Sequence, residues 1–374
     1  MKKFYLIYFF TITIFSFSQT NQQITINVDG VNRTLLLYVP NIYQSNINAP
    51  LVFNFHGYTS NATAQSDYTD FQSIADTAGF ILVHPQGLDI GGGFGFNAFQ
   101  NTDNSNYDYR FVEEMLTYLK QNYSIDENRI YSTGLSNGGF FSYDLACFLS
   151  EHFAAIASVA GTMISSHLSA CNPSKSIPVM HIHGTNDLTV SYTGVGGILS
   201  SVSVDNLISF WVNHNQNTST SIEENLANSS LNDLSTVSHY TYENNQNFAV
   251  VELYKVINGS HTWPGSSYPI IGLVTNQDFS ASKEIWRFFS QHQKTNHLIE
   301  STTSSFSLYP NPSKNSVTIK TPSFPVQCKL KNIEGKEVQS FLLEKQTTEL
   351  NFNHLKSGVY FFELNNKVFK WLKE

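Results

Sequence analysis

The chain has 374 residues and a formal net charge of −8, with 41% hydrophobic and only 13% charged residues. Charged residues are about half their usual share of roughly 25%, which excludes a highly charged disordered chain. The acidic balance and the lack of a basic run exclude a nucleic-acid binder that works by neutralising phosphates.

The charge is unevenly placed: residues 20–300 hold nine basic and 23 acidic side chains, residues 301–374 ten and six. That reversal of sign predicts two bodies with different jobs. At the N-terminus, Lys2 and Lys3 precede an apolar run over 4–15 and the small-x-small sequence Ser16-Phe17-Ser18. This pattern predicts a signal peptide over 1–18, and the run is too short to span a membrane. No later segment reaches about 18 uninterrupted apolar residues, so no transmembrane segment is expected in the mature chain. Export permits disulfides. Cys147 and Cys171, 24 apart in the large body, are the natural pair, with two separate buried thiols as the alternative. Cys328 is then left over in the tail.

In chain order, residues 24–30 and 33–40 read as two strands around the hairpin signal Asp29-Gly30. PLVFNFHG (50–57) is a continuous apolar run ending in Gly, as a buried parallel strand would be. A helix-like stretch, 68–78, leads to a second buried strand, FILVHPQG (80–87), and then to a Gly/Asn-rich loop over 91–106. Asp108 is a candidate cap for a helix in which Phe111, Val112, Met115, Leu116 and Leu119 recur at helical spacing. Strands follow at 129–134, 154–161 and 177–184, with a turn entering a helix after the first. Residues 204–214 and 279–291 read as helices, and SHYTYEN with 248–257 as a closing strand pair. Alternation of strands and helices over 50–291 predicts a mostly parallel sheet covered on both faces, an α/β domain over 20–294. Residues 295–307 are Ser/Thr-rich and read as a linker, and 308–374 as a small β-sandwich.

Gly134-Leu135-Ser136-Asn137-Gly138 is a G-x-S-x-G between a strand and a helix. On this sharp turn a serine is pushed out above the sheet, where it can act as a nucleophile. A serine hydroxyl needs a base, and the base an orienting acid, which follow it in the order acid, then histidine. Asp187 sits just past a buried strand; Glu223, Glu224 and Asp233 lie in a polar stretch and are poorer candidates. Of twelve histidines, His261 lies on a loop at a strand end, after both Ser136 and Asp187. His181 and His183 alternate in the strand before Asp187, so one of them is a rival base; His239, His292 and His297 are less well placed. The developing oxyanion needs two backbone donors. The candidates are the N–H of Asn137, after the nucleophile, and that of Tyr58, in the loop after the third strand. No metal constellation and no cofactor fingerprint is present: there is no HExxH, CxxC or DxDxDG, and GGGFGFN follows no strand at the right offset.

HGY (56–58), ADTAGFILVHPQG (75–87), FNA (96–98), GLSNGG (134–139), FAAIASVAG (153–161), PVMHIHGTND (178–187) and HTWPG (261–265) resemble the secreted esterases related to polyhydroxybutyrate depolymerases, with the feruloyl and acetylxylan esterases similar to that group. The resemblance covers about residues 24–291 and implies an α/β-hydrolase fold with a Ser136–Asp187–His261 triad and no cofactor. Phe96 stands where that family often has Trp, and the cysteine-rich stretch that often follows is absent. YPNP (309–312), NIEGKEV (332–338) and LKSGVYFFEL (355–364) resemble the C-terminal sorting domain of the type IX secretion system of Bacteroidetes. That implies a secreted or cell-surface protein that passes through the periplasm of a Gram-negative cell, with the secretion machinery as a partner. The expected activity is ester hydrolysis through an acyl-enzyme, on a polyhydroxyalkanoate-type polyester or oligoester, or else on feruloyl or acetylxylan esters. A non-catalytic surface-binding protein on the same fold is the alternative from another class. Phe96 and Trp263 are the expected substrate contacts. Tyr58, Phe94, Tyr192 and Tyr268 lie near the same cleft, and local packing is the alternative for all six.

Overall fold

A computed structural model describes residues 20–374 except 101, 104, 195–200, 245–248, 269, 295–306, 322–324, 346 and 365–366. The expected signal peptide, nearly all of the expected linker, and His297 lie outside the described residues. The chain divides into two compact units, one ending at residue 298 and one beginning at 299.

The first unit is built on β1 (Thr20–Val28), β2 (Val31–Val39), β3 (Ala49–Phe55), α1 (Ala62–Thr69), α2 (Gln72–Ala78), β4 (Ile81–Pro85), β5 (Leu88–Asp89), β6 (Phe94–Gly95) and α3 (Tyr107–Asn122). It continues with β7 (Ile125–Leu135), α4 (Asn137–Phe148), β8 (Ala155–Val159), α5 (Ser165–Ala170), β9 (Val179–Gly184), α6 (Val204–His214), β10 (Ile222–Asn225), β11 (Thr236–Tyr242), β12 (Val251–Ile257) and α7 (Ala281–Ser290). Ten strands form one sheet in the order β1-β2-β4-β3-β7-β8-β9-β12-β11-β10. The stretch from β4 to β12 is parallel, and the hairpins at both edges are antiparallel. β3, β4, β8 and β9 are buried along their whole length, as strands covered on both faces must be, which is why they read as apolar runs rather than alternations. This is an α/β-hydrolase sheet.

Two helices depart from the sequence reading. The single stretch expected over 68–78 is two helices, broken at Asp70, whose φ of 47° is left-handed. Asp108 does not cap α3. Asn106 does, accepting from the Asp108 N–H at 3.0 Å, while the Asp108 carboxylate turns inward to the Arg33 guanidinium at 2.6 Å. A buried cation without a partner is costly enough to claim that carboxylate.

The second unit holds β13 (Ser307–Tyr309), β14 (Ser316–Lys320), β15 (Val326–Asn332), β16 (Glu337–Leu343), β17 (Thr347–Asn351), β18 (Gly358–Leu364) and β19 (Lys367–Lys373). They form two antiparallel sheets, β13-β14-β17 and β16-β15-β18-β19, around a core that includes Val317, Ile319, Leu330, Phe352, Phe362 and Trp371. Burial pushes the thiol of Cys328, in that core, up to about 12. Among the described residues no helix is long and apolar enough to cross a membrane.

Candidate active site

The C-terminal ends of β3, β7, β9 and β12 meet at one edge of the sheet, where the chemistry of open α/β sheets gathers. β7 runs straight into α4 through Ser136, whose φ of 53° and ψ of −119° lie in a sparsely populated region. Such a backbone costs about 1–3 kcal/mol and persists only where the surroundings impose it. Here they do. A Cβ at Gly138 would sit well inside contact distance of the Phe55 carbonyl on β3, and one at Gly134 would lie 2.6 Å from the Gly138 carbonyl carbon. Only glycines let strand and helix close to this spacing.

Asp187 is held by the loop after β9. Its Oδ1 accepts from the N–H groups of Thr189 and Val190, both at 2.8 Å. Its Oδ2 accepts from His261 Nδ1 at 2.6 Å. The loops after β9 and β12 lie against each other, with the Asn186 N–H donating to the Gly259 carbonyl at 2.9 Å. Because the carboxylate only accepts, His261 carries its hydrogen on Nδ1, and Nε2 keeps a lone pair. Ser136 and His261 line one cleft of about 520 Å³, with Gly57, Tyr58, Tyr68, Leu135, Tyr268 and Ile270 among its other walls. No hydrogen bond joins Ser136 Oγ to His261; such contacts are often loose before substrate binds and tighten afterwards.

The Tyr58 loop is fixed from beneath. His56 is fully buried, and its Nε2 accepts from the Gly87 N–H at 3.0 Å, so Nδ1 is the protonated nitrogen, 2.7 Å from the Gly57 carbonyl. Burial lowers the His56 pKa and keeps the ring neutral. The Thr59 N–H donates to the Phe94 carbonyl at 2.8 Å. The backbone N–H groups of Tyr58 and Asn137 have no acceptor among the described residues, as oxyanion donors require.

Two expected contacts are corrected. Phe96 is fully buried, packed edge-on against Phe55 at 5.0 Å and stacked on Phe141 at 5.2 Å, so its ring cannot meet a substrate. Trp263 is 1% exposed; its ring meets Phe71 edge-on and its Nε1–H donates to Ser282 Oγ at 3.0 Å. Tyr192 is buried as well, whereas Tyr58 and Tyr268 are exposed and line the cleft, and Phe94 is exposed without lining it. What sequence reasoning missed is the supporting role of the two corrected residues. The Asn137 amide grips the Phe96 backbone, Oδ1 accepting from its N–H at 2.7 Å and Nδ2 donating to its carbonyl at 2.9 Å. The Trp263 N–H donates to the hydroxyl of the cleft residue Tyr68 at 3.1 Å. The buried Asp108–Arg33 pair steadies the next residue of the same loop, since Asp108 Oδ2 accepts from the Asn97 N–H at 2.7 Å. FNA stands out as a motif, but nothing in one sequence says whether its aromatic ring or its backbone matters.

The expected cysteine pair is present: Cys147, in the last turn of α4, is bonded to Cys171, just after α5, with their Cα atoms 4.9 Å apart. Among the described residues no group of three His, Cys, Asp or Glu side chains could hold a metal ion.

A strained serine at the strand–helix turn of a mostly parallel sheet, in one cleft with a histidine bonded to a carboxylate, defines the α/β-hydrolase class. Comparison with known proteins narrows this. The chain belongs to the putative esterase family, whose model matches residues 27–265, and residues 307–374 match the secretion system C-terminal sorting domain. It is 32% identical over 174 residues to a bifunctional acetylxylan esterase/xylanase of Neocallimastix patriciarum, covering 46% of this chain and 24% of the other. It is 26% identical over 167 residues to a probable feruloyl esterase C of Aspergillus niger, covering 43% and 57%. It is 34% identical over 118 residues to poly(3-hydroxyalkanoate) depolymerase C of Paucimonas lemoignei, covering 30% and 28%. The match thus spans about a quarter to a little over half of these relatives' lengths. Among solved structures, an acetyl xylan esterase from Aspergillus awamori superposes with a TM-score of 0.51 at 16% identity, covering 72% of this chain and 99% of that one, which bears on the fold alone.

Proposed function

We propose that this chain is an exported serine carboxylic-ester hydrolase with Ser136, His261 and Asp187 as its triad. The observation that carries the reading is the 2.6 Å His261–Asp187 bond beside a strained serine in the same cleft. The Ser136 hydroxyl attacks the ester carbonyl as His261 Nε2 takes its proton, and Asp187 stabilises the resulting imidazolium. The Tyr58 and Asn137 N–H groups hold the oxyanion. The intermediate collapses, His261 returns the proton to the leaving alcohol, and an acyl-enzyme remains. Water, deprotonated by His261, attacks the acyl carbon; the second intermediate expels the Ser136 oxygen, which recovers its proton, and the acid departs. Ser136→Ala should lower turnover of p-nitrophenyl butyrate by several orders of magnitude with an unchanged melting curve. Retention of a tenth of the activity refutes the assignment.

For the substrate, the lead reading is a polyhydroxyalkanoate-type polyester or oligoester. The apolar, open cleft walls Tyr58, Leu135, Tyr268 and Ile270 support it, since they offer an aliphatic acyl chain an apolar contact surface in a cleft that Asp67 also lines. The second reading, a feruloyl or acetylxylan ester, rests on the exposed rings of Tyr58 and Tyr268, against which a planar acid or a sugar can stack. Comparing kcat/KM on hydroxybutyrate oligomers, methyl ferulate and acetylated xylan decides between them. The C-terminal unit, by its family, supports export through type IX secretion to the cell surface or medium. Loss of export on its deletion tests that role.

A further inference from the structure

Behind Asp187 lies a run of buried polar side chains that ester hydrolysis itself does not use. The Tyr143 hydroxyl is 2.9 Å from His181 Nδ1, His181 Nε2 is 3.1 Å from His183 Nδ1, and His183 Nε2 is 2.8 Å from the Val190 carbonyl. All three residues are at most 1% exposed. His183 Nε2 also stands 3.4 Å from Asp187 Oδ2, the oxygen that receives the His261 hydrogen bond. Val190, at the end of the run, donates its own N–H to Asp187 Oδ1.

The direction of every hydrogen follows from that last acceptor. A carbonyl only accepts, so His183 carries its hydrogen on Nε2, and its Nδ1 accepts. His181 must then donate from Nε2 and accept at Nδ1, which leaves Tyr143 as the donor at the head of the run. Burial lowers both histidine pKa values and raises that of the tyrosine, so all three groups stay neutral. The three dipoles therefore point one way, with their N–H ends toward the carboxylate and the loop that carries it. Tyr143 sits on α4, seven residues and about two turns past Ser136, so the run spans from the nucleophile's helix to the acid's loop. Three polar groups in a core are no better for stability than apolar ones of the same shape. Their value lies in fixing a geometry.

We infer that Tyr143, His181 and His183 are positioning residues: a buried, one-directional hydrogen-bond array that sets the place of Asp187 and ties it to the helix bearing Ser136. This rests on Asp187 being the triad acid. Displacing a catalytic group by about 1 Å can cost about 100-fold in rate.

The test uses the full exported chain with p-nitrophenyl butyrate as substrate. His181→Leu cuts the array, while His181→Gln keeps an acceptor for Tyr143 and a donor for His183. His181→Leu should lower kcat by about 10- to 100-fold with KM close to the wild-type value, and shift the far-downfield NMR resonance of the His261 Nδ1 proton. His181→Gln should regain most of the rate and return the resonance. If His181→Leu does not fold, Tyr143→Phe, which removes one oxygen atom, takes its place. A severalfold loss of kcat with a moved resonance supports the array, and no change in either overturns it. Asp187→Asn separates the two claims. If it is inactive while folded His181→Leu keeps full kcat, the array falls and the triad stands. If it stays active, Asp187 is not the acid, and the inference falls with the triad.

Discussion

Replacing Cys147 and Cys171 by alanine together opens a loop closed across a separation of 24 residues. In the chain-entropy picture, cross-linking a loop of that size stabilises by about 3.5 kcal/mol. Both cysteines are buried, so the lost sulfur contacts add to this figure rather than offset it. Unfolding entropy is about 2.1 cal/mol/K per residue, or about 0.6 kcal/mol/K for a unit of about 275 residues, so Tm should fall by about 6 °C. Catalysis should be nearly untouched at 25 °C, because the bond joins the far end of α4 to the end of α5, eleven residues beyond the nucleophile. Calorimetry on the whole exported chain, with parallel ester assays, reads both quantities. An unchanged Tm in the double variant would show that the closed loop adds nothing to stability. A loss of kcat at 25 °C in a variant that is still folded would show that the bond holds the site itself.

Asp108→Asn should lower stability by about 3–5 kcal/mol, since it leaves the Arg33 guanidinium buried without its counter-charge; a denaturant midpoint measures this, and a change below about 1 kcal/mol refutes it. His292 is buried and neutral, with its pKa lowered by desolvation to about 4 from 6.5. The unfolded chain therefore binds that proton first as pH falls, so stability is full above pH 6.5 and declines toward pH 4, by about 3 kcal/mol from this group. His292→Gln should flatten that part of the Tm–pH curve, and an unchanged slope removes His292 as a cause. A chain ending at residue 295 should turn over small soluble esters within about twofold of the full chain, as separate compact units allow. Loss of turnover would mean that the tail completes the hydrolase unit, whereas a loss confined to insoluble polymer would make it a substrate-binding module.

The strands were legible because burial on both faces leaves predominantly apolar runs, as in β3 and β9, interrupted by a few buried polar residues such as Asn54, His181 and His183. Ser136, Asp187 and His261 were singled out as a proposed triad by their place just past β7, β9 and β12, since strand ends are where loops can carry chemistry. Short elements were not: β5, β6, β10 and α5 span between two and six residues, too few for any period to show. The cap of α3 went to Asn106 because only a folded chain brings Arg33 to Asp108, 75 positions away. For the same reason the sequence left Phe96 and Trp263 open between substrate contact and local packing. Their neighbours Phe141 and Phe71 are remote in sequence, and an aromatic ring in a polar loop carries no mark of which way it faces. His181 and His183, two apart on one strand face, read as rival bases, but their partners Tyr143 and Val190 are visible only in three dimensions.

The two-pronged grip of Asn137 on the Phe96 backbone makes one residue serve two bodies, since its main chain is the proposed oxyanion donor while its side chain bolts down the glycine-rich segment. A mechanical linkage of this kind does not let the segment yield by itself. Any ligand that leans on residues 94–98 pulls on the amide beside the nucleophile. Engineering of that wall for a bulkier ester should therefore register as altered turnover before it registers as altered affinity, and swapping loops there without their matching asparagine contact detunes the catalyst rather than retargeting it.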